Sequence, residues 1–202
     1  MTLLINATLR ERYLIKEVIA QGGMGAVYLA DDITLGVPVA IKENLSSSQD
    51  SNRQFRREAT ILASLRHPNL PRVTDHFEIP GEGQYLVMDY IAGQDLKAII
   101  RAEGKLNPNT AIEIGKTICD ALIYLHSLTP PVVHRDIKPG NIKISPDGKI
   151  FLVDFGLAKA AQSDVTTTTG AQAFTPGYAP PEQYGEGHTG PVSDIYALGA
   201  TL

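Results

Sequence analysis

Short runs of β-branched and aromatic residues, separated by turns rich in glycine and proline, occupy the first ninety positions of the chain. Tyr13 to Ile19 reads as a strand, Ala26 to Ala30 as another after a glycine cluster, and Pro38 to Lys42 as a short β-rich run. Phe77 to Ile79 and Tyr85 to Asp89 read as the arms of a hairpin across Gly81-Glu82-Gly83. In between, the period turns helical: Phe55, Ala59, Leu62 and Leu65 place one apolar face on a helix over Asn52 to Leu65. His67-Pro68 ends it, because proline pushes the residue before it out of helical geometry.

Beyond Gly93 the helical period dominates. A short helix is expected over Asp95 to Arg101 and a longer one from Asn107 to Leu128, opened by Asn107-Pro108. Short strands are expected at Val132-Val133, Ile142 to Ile144 and Ile150 to Val153, with a turn at Pro146-Asp147-Gly148. The expected organisation is an α+β, two-lobed fold. An N-terminal extension covers 1–12, a β-rich lobe 13–88, a hinge 89–91, and a mainly helical, incomplete lobe 92–202, ending within a helix. Ile195 to Leu202 keep an apolar helical pattern without cap, glycine stop or polar tail, so the domain is expected to continue past Leu202.

Composition narrows the class. The chain's 202 residues are enough to bury a core, and 43% hydrophobic with 20% charged residues suits a soluble globular protein. Nothing in a net charge of −4 suggests nucleic acid or an anionic membrane as the main partner. The single cysteine, Cys119, excludes an internal disulfide and points to a reducing compartment; its apolar helical setting reads as a buried core thiol. No apolar run approaches the ~18 residues a membrane span needs. Met1 to Arg12 lack the basic start and cleavage site of a signal peptide. A cytoplasmic location is expected, with an anchor past Leu202 left open.

Candidate chemistry gathers at four places. Gly22-Gly23-Met24-Gly25 lies between two strands, either as a plain hairpin turn or as a loop whose N–H groups approach phosphate oxygens. Lys42 ends the apolar strand Val39-Ala40-Ile41. It either snorkels to solvent or meets an anion. Glu58 on the next helix is that anion, or a solvated residue beside Arg56 and Arg57. The run His134-Arg135-Asp136-Ile137-Lys138-Pro139-Gly140-Asn141 is far more constrained. Asp136 can accept a hydrogen bond from a hydroxyl, Lys138 can balance phosphate charge, and Asn141 offers an amide oxygen suited to Mg²⁺. Asp154-Phe155-Gly156 follows an apolar strand, as a strand-ending turn or as a second metal contact; its place after the 134–141 loop favours the contact.

In this order these residues resemble the protein kinase superfamily. Gly22 to Tyr28 and Gly177 to Tyr184 are similar to bacterial members of the eukaryotic-type serine/threonine kinases, and the resemblance covers Tyr13 to Leu202. It implies a bilobal protein kinase-like fold and transfer of the ATP γ-phosphate to protein Ser/Thr hydroxyls, with Mg²⁺ or Mn²⁺. Ile19, Ala20, Gln21, Gly22, Gly23, Met24, Gly25, Ala26 and Val27 would cover ATP. Ala40 would line the pocket, Met88 would be its gatekeeper, and Asp89 to Ile91 the hinge meeting adenine. Asp95 would touch ribose. Lys42 would contact the α- and β-phosphates with Glu58 as its partner. Asp136 would be the catalytic base, with Asn141 and Asp154 as metal ligands. Lys138 marks serine/threonine kinases, and Thr175 would bridge it to Asp136. Asp194 would hold the catalytic loop from a buried position, and Glu182 would pair with an arginine of a later helix. Phe155 and Gly156 would be structural.

Arg135 next to Asp136 accompanies control by loop phosphorylation in the family. One or two of Thr166, Thr167, Thr168 and Thr169 are therefore expected to be autophosphorylated; an unmodified polar loop is the other reading. Three positions depart from the pattern. Ala20 replaces the first loop glycine, Lys143 stands where an apolar adenine floor is usual, and Pro180-Pro181-Glu182 replaces Ala-Pro-Glu. The expected partners are ATP and Ser/Thr-bearing proteins, not nucleic acid; dimerisation is left open. The alternative is a pseudokinase or nucleotide-binding scaffold, against which Lys42, Asp136 and Asp154 are all retained. A small-molecule kinase is disfavoured by Lys138 and the 170–182 segment. The 202-residue piece by itself is expected to be poorly active, because each large apolar side chain left wet costs about 1.5–3 kcal/mol against a total stability of about 5–15 kcal/mol.

Overall fold

The computed structural model describes residues 3–22, 25–44, 49–155, 175–184 and 189–202. They form two compact units, Met1–Arg66 with Pro71–Ile91, and His67–Leu70 with Ala92–Leu202.

The first unit is an antiparallel sheet with one helix. Its strands are β1 (Thr8–Leu9), β2 (Tyr13–Gly22), β3 (Gly25–Asp32), β4 (Val37–Asn44), β5 (Val73–Ile79) and β6 (Gly83–Asp89), in the order β1-β2-β3-β4-β6-β5. Several strands outrun their sequence signal. Gln21 and Gly22 are poor strand formers, yet β2 continues through them because Gly22 pairs with Gly25 across the turn. Side chains alternate between faces. One face buries Tyr13, Ile15, Tyr28, Ile41, Phe77, Tyr85 and Val87; burial is worth about 1.5–3 kcal/mol for each of Ile15, Ile41, Phe77 and Val87. Glu43 is buried among them because Tyr28 and Tyr85 donate their hydroxyls to it at 2.6 and 3.3 Å. Tyr28 in turn accepts the Leu3 N–H at 3.0 Å. Thr8 and Leu9, ahead of the boundary expected at residue 13, pair with Leu14 and Tyr13.

The opposite face takes helix α1 (Gln49–Ser64), where the Phe55 ring lies 5.9 Å from that of His76. Phe55, Glu58, Ala59, Leu62 and Leu65 are all buried at helical spacing. Glu58 thus falls inside the apolar stripe and not on the solvated side with Arg56 and Arg57.

The second unit has helices α2 (Leu96–Glu103), α3 (Pro108–Ser127) and α4 (Pro191–Thr201), and a sheet β7-β8-β9 of Gln94–Asp95, Ile142–Ile144 and Ile150–Leu152. Asn107 caps α3 through Asn109 N–H, with Pro108 in the first turn. Ile114, Ile118, Ala121, Leu122 and Leu125 form its buried stripe. Two expectations are corrected. Val132 and Val133 are buried but belong to no strand: Val132 N–H bonds back to Leu125 O, so its bond closes on α3 instead of a ladder. Cys119 is half-buried, because it sits about 100° around α3 from Ile118 and reaches only the edge of the stripe. Asn69 ties its segment to β9, accepting from Leu152 N–H at 2.9 Å and donating to Ile150 O at 2.8 Å. Among the described residues no helix is long and apolar enough to cross a membrane.

Candidate active site

In the first unit, β4 carries Lys42 on the face that receives α1, since Lys42 pairs with Leu86 and Leu86 with His76. Lys42 Nζ lies 3.5 Å from Glu58 Oε1, and the carboxylate is almost fully buried. The glycine turn is a hairpin whose Gly22 and Gly25 oppose each other; Gly23 and Met24 lie outside the described residues. Gly25 has φ +153, and a Cβ there would collide with the Glu43 carbonyl oxygen. The position requires glycine to bring β3 against β4, whatever else the loop does. Ile19, Ala20 and Gln21 are exposed, whereas Ala26 is in the core and has only backbone to offer a ligand. Val27 pairs with Lys42, and Ala40 with Met88. Asp89 N–H is committed to Arg72 O, and its carboxylate accepts Arg72 N–H at 3.0 Å. Ile91 is half-buried.

In the second unit, one carboxylate organises the constrained loop. Asp136 Oδ2 accepts from Lys138 Nζ at 2.8 Å and from Asn141 Nδ2 at 3.0 Å, while Oδ1 accepts from Thr175 Oγ1 at 3.0 Å. Lys138 Nζ also donates to Thr175 Oγ1 at 3.1 Å. A 3₁₀ turn, Pro139–Asn141, folds Asn141 back onto Asp136, and its amide nitrogen donates to the Asp136 carbonyl at 2.8 Å. That nitrogen is spent on acceptors, so the amide oxygen is the group left to ligate a hard cation. Asn141 O accepts Val153 N–H at 2.9 Å, bringing the start of the Asp154 segment alongside. Asp154 is exposed, with φ +58. An amide oxygen and one carboxylate suit Mg²⁺, which is held by few protein oxygens together with substrate phosphates.

The loop is fastened from below. Asp194 on α4 is completely buried and accepts the N–H groups of His134 and Arg135, each at 2.8 Å. Arg135 has φ +66; its Nε donates to Thr189 Oγ1 at 2.7 Å and its carbonyl accepts from Gln183 Nε2 at 3.2 Å. His134 is buried, with its ring 4.6 Å from that of Phe155. Burial holds its imidazole below the ordinary histidine range, against the opposing pull of Asp194.

Three residues singled out in the sequence have structural partners of their own. Asp95 caps α2 through Ala98 N–H at 2.8 Å and pairs across the sheet with Lys143. Burial pushes the Lys143 ammonium below its usual range, and the Asp95 charge opposes this. Glu182 accepts the Ser193 hydroxyl at 2.6 Å. Gly156 and Thr166 to Thr169 lie outside the described residues. Sequence reasoning missed His126, whose Nε2 lies 2.9 Å from Asp194 Oδ2, along with Gln183 and Thr189. Each acts across dozens of intervening positions, and none carries a local pattern that marks it.

The chain is similar to known protein kinases over nearly its whole length. The family described as the protein kinase domain matches residues 13–202. Serine/threonine-protein kinase PrkC of Bacillus subtilis is 41% identical over 203 residues, covering 99% of this chain and 31% of the relative. Serine/threonine-protein kinase PknA of Mycobacterium tuberculosis is 39% identical over 202 residues, covering 96% and 46%. The chain therefore spans less than half the length of these curated relatives. Among solved structures, the apo form of PpkA-294 superposes with a TM-score of 0.79 at 30% identity, covering 99% of this chain and 76% of that one. The Mycobacterium tuberculosis PknI kinase domain gives 0.76 at 26% identity, covering 99% and 74%. The chain belongs to the protein kinase family, among its bacterial eukaryotic-type serine/threonine members.

Proposed function

We propose that this chain transfers the γ-phosphate of ATP to Ser/Thr hydroxyls of proteins. The observation that carries the reading is the Asp136 carboxylate shared by Lys138, Asn141 and Thr175. In that reading Asp136 orients the acceptor hydroxyl and takes its proton as the oxygen–phosphorus bond forms and ADP departs. Lys138 balances charge on the transferring group. Lys42, held by Glu58, places its ammonium on the α- and β-phosphates. Asn141 and Asp154 hold Mg²⁺ or Mn²⁺, which neutralises phosphate charge when bound. The 19–27 hairpin covers the nucleotide; Ala40, Met88, Asp89, Ile91 and Lys143 serve adenine, and Asp95 the ribose. Autophosphorylation within Thr166 to Thr169, with Arg135 as one base pairing the phosphate, and a cytoplasmic setting complete the proposal.

The test is phosphate transfer from labelled ATP to a basic protein substrate by the full-length protein, parent against Asp136→Asn. The variant should lose about 10²–10⁴ in kcat and still bind ATP. Transfer by the variant at the parent rate refutes Asp136 as the base. A parent that binds ATP and Mg²⁺ but transfers nothing is a scaffold.

A further inference from the structure

Arg135 adjoins the carboxylate on which the proposed transfer depends, and its φ of +66 is a conformation that a non-glycine residue keeps only when its surroundings hold it. Three of its groups are held by side chains. Asp194 takes its N–H, Gln183 its carbonyl, and Thr189 its guanidinium Nε at 2.7 Å. Thr189 directly precedes Gly190, the N-cap of α4, and Asp194 lies in the first turn of the same helix. One helix start therefore grips Arg135 at both backbone and side chain. Ser193 locks that start, accepting Gly190 N–H at 3.1 Å and donating to Glu182 at 2.6 Å. The segment bearing Gln183 is thereby tied to the segment bearing Thr189.

The geometry points to Thr189 as a positioning residue for Asp136, acting through Arg135. The inference rests on the kinase reading, because it gives Thr189 a task in a loop which that reading makes catalytic. Thr189 Oγ1 accepts from Arg135 and touches no reacting atom. Nε–H is one directional donor, so an acceptor at a fixed helix start sets where the side chain lies. Without it, the Arg135 Nε–H loses the acceptor that orients it, beside a strained backbone. The peptide leading into Asp136 then drifts from the geometry that places the carboxylate on Lys138 and Thr175. Lys42 and Glu58 belong to the other unit and keep their ion pair, so the loss falls on turnover and not on nucleotide affinity.

The experiment compares Thr189→Val, which keeps volume and removes the acceptor, with Thr189→Ser, which keeps the acceptor, both in the full-length protein. Thr189→Val should lower kcat about tenfold with KM for ATP within about twofold of the parent, while Thr189→Ser stays within about twofold on both. Hydrogen exchange in the peptide covering 133–138 should quicken in the valine variant only. Parent kcat and parent exchange in Thr189→Val overturn the inference. So does a loss that Thr189→Ser shares, or one expressed as raised KM with a lowered melting temperature, since either marks a merely structural role. If the parent transfers no phosphate, the kinase reading falls and exchange alone decides: faster in valine supports Thr189 as the anchor of the loop, unchanged refutes it.

Discussion

Replacing Asp194 with asparagine tests the fastening of the catalytic loop. The carboxylate has no exposed surface and accepts three donors: Arg135 N–H on Oδ1, and His134 N–H and His126 Nε2 on Oδ2. An amide offers one acceptor oxygen, and its NH₂ must face a donor. The cheaper orientation keeps oxygen toward His134 and His126 and strands the Arg135 N–H. Losing one hydrogen bond to a charged group, with a buried donor left unpaired and the other two bonds no longer charge-assisted, amounts to about 2–4 kcal/mol. That is a large share of the roughly 5–15 kcal/mol available to a domain. Urea unfolding of the full-length protein, read through hydrogen exchange of α3 and α4 peptides, should show the lowered midpoint, and exchange at residues 134–135 should quicken. Adding His126→Ala should cost less in the Asp194→Asn background than in the parent, with a coupling of about 0.5–3 kcal/mol. A parent-like midpoint and exchange in Asp194→Asn would refute the claim that this carboxylate fastens the loop.

The glycine hairpin allows a paired comparison. Gly25→Ala meets both a positive φ and the Glu43 carbonyl, whereas an added methyl at Gly22 meets nothing within 4 Å. The first should cost about 1–3 kcal/mol, and at about 2–4 °C per kcal/mol melt several degrees lower; the second should stay near the parent. Equal melting of the two would show that Gly25 is not required by packing. Acid should destabilise the fold through its buried histidines. Burial depresses the pKa of His134, and that of His67 and His76 likewise. In the unfolded chain they take protons near pH 6.5, before the folded chain does. Stability is therefore full above about pH 6.5 and falls as pH drops toward the folded pKa, by about 1.4 kcal/mol per unit for each histidine in that window. Unfolding free energies at pH 7.5, 6.5 and 5.5 check this, and a flat profile contradicts it.

Much of the site was legible because its chemistry is local. Asp136, Lys138 and Asn141 occupy one loop, and their spacing alone places an amide and an ammonium on one carboxylate once a single turn folds back. The Asn107-Pro108 cap and the stripe of α1 were readable because helix periodicity is written in neighbouring positions. Glu58 was ambiguous for the same reason. Its place in the stripe was visible, but whether a carboxylate there is buried depends on a lysine from another strand.

What tertiary structure decided is which distant groups answer each donor and acceptor. His126, Gln183, Thr189 and Ser193 converge on the loop and its turn from separate elements, and single polar residues on helices and turns look alike in sequence whether they meet solvent or a buried partner. The fate of Val132 and Val133 was likewise settled by α3 claiming the Val132 N–H, and that of residues 3–9 by Tyr28 and β2. The chain's own pattern determines the elements and the reactive residue types, since both follow from local geometry; satisfying every buried polar group is a global condition that only the assembled fold resolves.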